Sequence, residues 1–281
     1  MTQKYKITQN QILIAVGLIL VGGLIGWVLA EREYGNGPLA DLDSMRSEAN
    51  DDYLPITRAM AYPHWPSGKV SVLNSANAVW GPYLTSAVQL WEFGGSVKYT
   101  VMQGDNKEPC QYYMGKLNFC SINEPDTPLL AGGAYSYNNK DGHILEGVIM
   151  FNDAMQKKGW TPAKPEEISS SMMCRYLGFG SGVRDRDYPS QSCMVHTFDW
   201  NNVGAFMEPD SIDYTWMRKA LSHKEPRPIP TQNLGGQAVS LSQLANNLGA
   251  NLESFSDGKL QYSDQLIGDG ITLRTFVVKN K

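Results

Sequence analysis

The sequence predicts a folded domain of the α+β or α/β class, organised around one mixed β-sheet. Its hydrophobic pattern switches between strand-like alternation and helical spacing, in the order strand, helix, strand, strand, helix. Glycine, proline and asparagine separate these segments, as expected for turns. The chain has 281 residues, 42% of them hydrophobic, which is enough for one sizeable core with accessory pieces.

The elements are assigned in chain order from these patterns. Strands are predicted at residues 69–73, 97–102, 115–120 and 143–152. Helices are predicted from residue 80, where Gly81 and Pro82 open the segment, and over 166–179, where Pro165 and two glutamates stand at the start. Two further helices are predicted at 213–222 and 240–248, before a terminal hairpin of 260–267 and 271–278.

The N-terminal segment predicts a membrane anchor. Residues 12–30 are uncharged and mostly apolar, and as a helix they would span roughly 28 Å, about one hydrocarbon core. A cleaved signal peptide is the alternative, although its apolar region is usually shorter. Lys4 and Lys6 precede the run, so residues 1–11 are expected in the cytoplasm and the large domain outside it. The lipid bilayer is therefore an expected partner of residues 12–30.

The rest of the chain divides by composition. Residues 31–60 are polar and acidic and predict a stalk, residues 61–224 predict the main domain, and a proline-rich linker opens a C-terminal extension at 225–281. The formal net charge is −4, and no basic stripe is present. This charge pattern excludes nucleic acid as an expected partner.

Four cysteines, at positions 110, 120, 174 and 193, lie in the predicted outside domain. An even number of cysteines in an exported domain favours disulfides, and the sequence alone allows three pairings. Local spacing favours Cys110–Cys120 and Cys174–Cys193. Neither CxxC nor HxxxH spacing occurs, which disfavours a cysteine-based zinc site.

One segment, MCRYLGFGSGVRDRDYPSQSCMVHTFD at 173–199, resembles the zinc-binding motif of the metzincin metalloproteases. That motif is H-E-x-x-H-x-x-G-x-x-H, followed later by a Met-turn. Gly182 matches the glycine of the motif, and Met194 matches the Met-turn. The three histidine positions and the glutamate position hold Arg175, Phe179, Asp185 and Tyr176, respectively.

The resemblance extends to short segments that match secreted, matrixin-like predicted zinc-dependent proteases, among them Gly147-Val148 and Asn152-Asp153. It implies an α+β metzincin-like zincin domain, with a twisted mixed sheet and long helices, behind the membrane helix. It also implies that Met194 forms an apolar floor beneath the site. In that family an extended peptide pairs with an edge strand, and the resemblance assigns this role to His143, Ile144, Leu145 and Glu146.

The residues at the motif positions cannot perform zinc chemistry. A catalytic zinc needs three neutral imidazoles and an open position for water, and a glutamate to take the proton of that water. Arg175 stays protonated near neutral pH and repels a dication, while Phe179 has no lone pair. Tyr176 has an ordinary pKa near 10, too high to replace a carboxylate base, and Asp185 alone does not make a site. We therefore expect no metal and no cofactor.

A second alignment, anchored on Leu177-Gly178-Phe179-Gly180, leads to the same expectation because it also supplies no zinc ligand set. It puts these residues at the critical positions: Ser171, Met172, Arg175 and Ser181.

Two questions about the motif segment stay open at the level of sequence. Arg175 and Asp185 either form an internal salt bridge in the vacated site or point to solvent. A relocated zinc site would use His143 and His196 with Asp185 or Asp199, although scattered histidines are more often surface or hydrogen-bonded core residues.

These observations predict a membrane-anchored, extracytoplasmic pseudoprotease. Its expected role is recognition of a peptide or protein segment in the vestigial cleft, or service as a scaffold in an envelope assembly, and hydrolysis is not expected. The alternatives are an active zinc metalloprotease with non-standard ligands, and a structural surface protein without a cleft ligand.

Overall fold

The fold is described by a computed structural model, which covers residues 63–106, 110–154, 165–185, 191–195, 206–221, 234, 236–248, 260–268 and 270–279. All of these lie in one compact unit, Ile56–Lys281. The predicted tail at 1–11, membrane span at 12–30 and stalk at 31–60 lie outside the described residues. Within the described part of the chain, no helix is long and apolar enough to cross a membrane.

Nine strands and four helices are described. The strands are β1 (Lys69–Ser75), β2 (Lys98–Gln103), β3 (Cys110–Gln111), β4 (Leu117–Ile122), β5 (Leu129–Asn138), β6 (Ile144–Asn152), β7 (Ala238–Val239), β8 (Leu260–Gly268) and β9 (Ile271–Lys279). The helices are α1 (Gly81–Phe93), α2 (Pro165–Gly180), α3 (Ser211–Ala220) and α4 (Leu241–Asn247). The predicted α+β class is confirmed, as is each predicted strand and helix apart from its exact ends.

Seven strands form one twisted mixed sheet in the order β2-β1-β4-β6-β5-β9-β8. The neighbours β2, β1, β4 and β6 are parallel, whereas β6, β5, β9 and β8 pair antiparallel. The predicted terminal hairpin is present as β8 and β9. It joins the main sheet, because β9 pairs with β5 from Leu129 to Asn138.

The prediction that residues 143–146 form an edge strand is wrong. Ile144, Leu145 and Glu146 begin β6, which pairs with β4 on one side and β5 on the other, and His143 directly precedes it. Strand β5 folds back onto the outer side of β6 through a tight turn at Gly142, whose φ is 77°. The edges of the sheet are β2 and β8.

Strand β5 was missed because its sequence, LLAGGAYSYN, carries Gly132 and Gly133 at its centre. Glycine has a low strand propensity, since it has no side chain to pack on the pleated surface. Here tertiary contacts require a glycine, because a Cβ on Gly133 would lie 2.7 Å from the Phe276 ring. The propensity of β5 is therefore overridden by its neighbour β9.

The two faces of the sheet carry separate cores. Helices α1 and α2 pack together over one face, and the indole Nε1 of Trp91 donates to the Cys174 carbonyl at 2.9 Å. Helix α4 covers the other face beside Tyr112 and the Cys110–Cys120 disulfide. Both predicted pairings, Cys110–Cys120 and Cys174–Cys193, are confirmed.

Helix α2 ends at Gly180 and is capped by Gly182, the residue that matches the glycine of the metzincin motif. The Gly182 amide donates to the Phe179 carbonyl at 2.8 Å, and the Val183 amide to the Gly178 carbonyl at 3.0 Å. This pattern is typical of a helix terminated by a left-handed glycine. The φ of Gly182 is +94°, and a Cβ there would lie 1.7 Å from the Pro63 carbonyl oxygen.

We expect the substitution Gly182→Ala to destabilise the domain. Strain in the left-handed backbone alone costs about 1–3 kcal/mol, and the contact with Pro63 adds to it. Urea unfolding measures the change. The matched control is Gly81→Ala, at the start of α1, where φ is −54° and a Cβ meets no atom. It should alter stability by less than about 1 kcal/mol, and equal losses in both variants would contradict the argument.

Candidate functional site

Helix α2 buries the residues at the zinc-ligand and base positions. Arg175, Tyr176 and Phe179 are 1%, 0% and 5% exposed, and Asp185 is half-buried just after the helix. The alternative in which Arg175 points to solvent is therefore wrong. The motif positions form part of the core rather than the wall of an open cleft.

Arg175 is held as a buried cation beside an aromatic ring and a carboxylate. Its guanidinium carbon lies 5.7 Å from the centre of the Phe179 ring. Burial lowers the pKa of Arg175, and the negative charge of Asp185 acts in the opposite direction. Asp185 therefore helps to keep the guanidinium charged, and the salt bridge between Arg175 and Asp185 that the sequence left open stays a prediction.

Tyr176 is unsuited to act as a base. Its hydroxyl is buried and makes no hydrogen bond to the described residues, and burial raises its pKa above the ordinary value of 10.0. The ring packs against Phe151 at 5.7 Å, Phe179 at 6.2 Å and Phe276 at 5.8 Å between centroids. Tyr176 therefore serves as a core aromatic residue.

Strand β9 places its own side chains in front of these positions. Phe276 lies opposite Gly133 of β5, and its ring packs 5.3 Å from Phe179. We call the side of β5, β9 and β8 that carries Phe276 the cleft face. Because Gly133 has no side chain, the Phe276 ring can lie directly over the β5 backbone.

Arg274, the next inward residue of the cleft face, is held on several sides. Its Nε and Nη2 donate to the two carboxylate oxygens of Asp264 at 2.7 and 2.5 Å, and its Nη1 donates to the Tyr135 hydroxyl at 3.2 Å. Burial acts to lower the pKa of Arg274, but the neighbouring Tyr135 and Asp264 raise it overall. This network fastens β8 to β5 across β9.

A small cavity remains between the turn after α2 and the cleft face. Its volume is ≈ 20 Å³, room for about one water molecule. Its walls include four aromatic rings, those of Tyr135, Phe179, Tyr262 and Phe276. Its charged lining groups are Arg184, Asp185 and Arg274. Tyr262, its lining residue from β8, is 53% exposed.

Met194 lies in a tight turn against α2. Its amide donates to the Ser192 hydroxyl at 2.9 Å, and the Cys174–Cys193 disulfide ties this turn to the helix. A Cβ on Gly178 would lie 2.5 Å from the Met194 sulfur, so the missing side chain of Gly178 makes room for the methionine. Its role as the floor of a binding site stays a prediction.

Two buried histidines meet at the start of β6. The rings of His64 and His143 lie 5.0 Å apart, edge to face, and His143 Nδ1 is 3.6 Å from Asp141. Across the described ranges, no group of three or more histidine, cysteine, aspartate or glutamate side chains could hold a metal ion. His196 and Asp199, the remaining members of the relocated zinc site, lie outside the described residues.

Glu146 lies on the face of the sheet opposite α2. Its carboxylate accepts hydrogen bonds from the Leu234 amide and, at 3.5 Å, from the Ser136 hydroxyl. Its Oε2 has no hydrogen-bond partner among the described residues. Burial raises the pKa of Glu146 above its ordinary value of 4.5. The residue is thus a buried acid of the sheet interior rather than a peptide-binding group.

Sequence reasoning missed Arg274, Phe276 and Tyr262, which complete the site from the C-terminal hairpin. One signal could have found Arg274: it is the one charge among the apolar and β-branched residues of 271–278. A single arginine inside such a strand needs an acidic partner when buried, and Asp264 stands in the other strand of the predicted hairpin.

Comparisons with known proteins do not assign a family. No family model and no curated protein matches the sequence. Among solved structures, one titled "Structure of Myroilysin" aligns with 57% of this chain and 83% of that chain, with 10% sequence identity and a TM-score of 0.33. This similarity is distant, and the metzincin-like character of the domain stays a prediction.

We expect Arg175→Ala to lower the melting temperature, because it removes a large buried side chain and leaves Asp185 without a charge that attracts it. The loss of stability should be about 2–5 kcal/mol, as for other large-to-small core substitutions. Arg218→Ala is the matched control, since Arg218 is exposed on α3 and its change should stay within about 0.5 kcal/mol. An unchanged melting temperature for Arg175→Ala would rule out its structural role.

We expect Glu146 to make the domain less stable as pH rises. The folded protein holds this proton to higher pH than the unfolded chain, so stability falls as pH increases from about 4.5 through the raised pKa. Urea unfolding at several pH values measures the slope. Glu146→Gln cannot titrate, so its slope over this window should be flatter by up to about 1.4 kcal/mol per pH unit. Identical slopes would contradict the assignment.

Proposed function

We propose that this chain is a non-catalytic, metzincin-like domain, anchored outside the cytoplasm by residues 12–30, that binds a peptide or protein. The observation that carries the proposal is the burial of Arg175, Tyr176 and Phe179 at the positions that would hold zinc and its base. Recognition, rather than hydrolysis, is the function compatible with such side chains at these positions.

The electrostatics at α2 oppose a metal at this place. A dication there would lie beside the Arg175 guanidinium, in a core where charges attract or repel more strongly than in water. The only motif position with a carboxylate is Asp185, and its charge already acts on Arg175. Three neutral donors and an open coordination position are therefore lacking at these positions.

The cleft face supports the same proposal, because it leaves little room for a peptide substrate in front of α2. A peptide that paired with β5 would need the backbone groups that β9 already uses from Leu129 to Asn138. Phe276 occupies the space in front of Phe179. A ligand of the domain therefore binds at the outer part of the cleft face, near the edge strand β8, or at another surface.

A scaffold role in an envelope assembly is the other form of the proposed function, and an active zinc metalloprotease with non-standard ligands is its rival. Metal content and hydrolysis separate the rival from both. The non-standard site would need His143 together with residues outside the described ranges, such as His196.

The experiment is metal analysis of the purified full chain in detergent after zinc loading and removal of free metal, with a parallel assay of casein hydrolysis. We expect less than about a tenth of an equivalent of zinc, because a protein zinc site needs several positioned ligands. We also expect no hydrolysis above the level of heat-denatured protein.

Zinc near one equivalent, with hydrolysis that a chelator abolishes, would overturn the proposal. His143→Ala and Asp185→Ala would then identify the ligands. Glu166→Ala, a substitution of an exposed glutamate, is the matched control. Zinc that is bound without any hydrolysis and that survives both ligand substitutions would point to adventitious surface binding and leave the proposal standing.

A further inference from the structure

The cavity beside the turn after α2 contains an imbalance of charge. Among the residues that the structure describes, three guanidinium groups lie in or next to it, those of Arg175, Arg184 and Arg274, and two carboxylates, those of Asp185 and Asp264. Asp264 is bound through both oxygens to Arg274. The charge of Asp185 acts on the buried Arg175.

Arg184 is the arginine that is not assigned to a carboxylate, since Asp264 binds Arg274 and Asp185 acts on Arg175. It makes no ion pair with the residues that the structure describes, and its Nε is buried without a hydrogen-bond partner among them. It lies close enough to Tyr137 for its charge to act on that hydroxyl. The Nε of Arg175 is in the same situation, but Arg184 is the one of the two that lines the cavity. A buried N–H group without an acceptor is costly, so an acceptor that reaches the Arg184 guanidinium through the cavity would be favoured.

We propose that Arg184 binds the C-terminal carboxylate of a peptide whose last residue is large and apolar. This inference rests on the proposed function and identifies the chemistry of its ligand. A guanidinium group presents its donors in a planar fork that matches the two oxygens of a carboxylate. Asp185 and Asp264 flank the same cavity, so a monoanion is favoured over a dianion such as phosphate.

The size of the cavity agrees with a small anionic head group. Its ≈ 20 Å³ accepts one carboxylate oxygen in place of about one water, so the second oxygen and the rest of the ligand lie outside it. Phe179 and Phe276 close the inner side, where their ring centroids are 5.3 Å apart. The remainder of the ligand therefore lies toward β8.

Strand β8 offers an apolar surface at that side. Tyr262 and Leu266 are 53% and 67% exposed. They lie on the same face of the strand as Asp264, which stands between them. Tyr262 is itself part of the cavity wall. An apolar side chain next to the bound carboxylate would cover the Tyr262 ring, and the preceding residue would reach toward Leu266. The charge of Arg184 and these two side chains together specify the end of a peptide.

The test measures binding of fluorescein-labelled hexapeptides to the full chain in detergent by fluorescence anisotropy. One peptide ends in phenylalanine with a free carboxylate, and its pair ends in phenylalanine amide. N-acetylphenylalanine serves as a competitor that represents a free organic acid. We expect the amide to bind at least about tenfold more weakly than the free carboxylate, because it cannot form the charge-assisted pair.

Variants locate the site. Arg184→Gln should weaken binding of the free-carboxylate peptide at least about tenfold and remove its preference over the amide. Arg184→Lys should retain part of the affinity, because it keeps the charge and loses the fork. Tyr262→Ser should weaken binding of the peptide with little effect on the preference for a carboxylate. Arg218→Gln, on exposed α3, is the matched control and should bind as the unchanged protein does.

Equal binding of the carboxylate and amide peptides would overturn the inference, as would full affinity in Arg184→Gln with an unchanged melting temperature. Competition by N-acetylphenylalanine at the affinity of the whole peptide would overturn the peptide assignment and identify a small organic acid instead. A zinc-free, inactive protein that binds neither peptide would refute this inference while the non-catalytic proposal stands, since metal content is measured independently.

Discussion

The pairing of β9 with β5 is the constraint on which the site depends. It aligns Phe276 with Gly133, and the ring then packs against Tyr176 and Phe179 of α2. The same register brings Arg274 beside Tyr135. A slip of one residue would turn Phe276 to the opposite face and expose the aromatic residues of α2, because side chains alternate along a strand. The hairpin register and the burial of the motif residues are therefore coupled.

The buried charges follow from that arrangement. Once Phe276 closes the face in front of α2, Arg175 has no access to water, and its charge depends on Asp185 and on the Phe179 ring. Arg274 meets the same requirement through Asp264 and Tyr135. Desolvation of a charge is costly unless partners replace water. Among the described residues that line the cavity, Arg184 is the cation that we propose meets a ligand.

The two disulfides and the glycines adapt the backbone to this packing. Cys174–Cys193 ties the Met194 turn to α2, and Gly178 leaves space for the methionine sulfur. Gly182 ends the helix where the chain passes Pro63, so that Val183 and Arg184 reach the cavity. The residues at the ligand and base positions of the motif thus have structural roles in this domain, and the proposed recognition is assigned to Arg184, which stands at a variable position of the motif.

The sequence by itself predicted the local elements, favoured the two disulfide pairings by their spacing, and showed that Arg175, Phe179 and Asp185 supply no imidazole. These properties depend on periodicity, on short spacings and on side-chain chemistry, which are local. Only the tertiary structure decided that β5 forms in spite of its two central glycines, that β6 lies inside the sheet, and that the C-terminal hairpin packs Phe276 against α2. Strand neighbours far apart in sequence are chosen by complementary packing, here Gly133 with Phe276, and no local pattern contains that information.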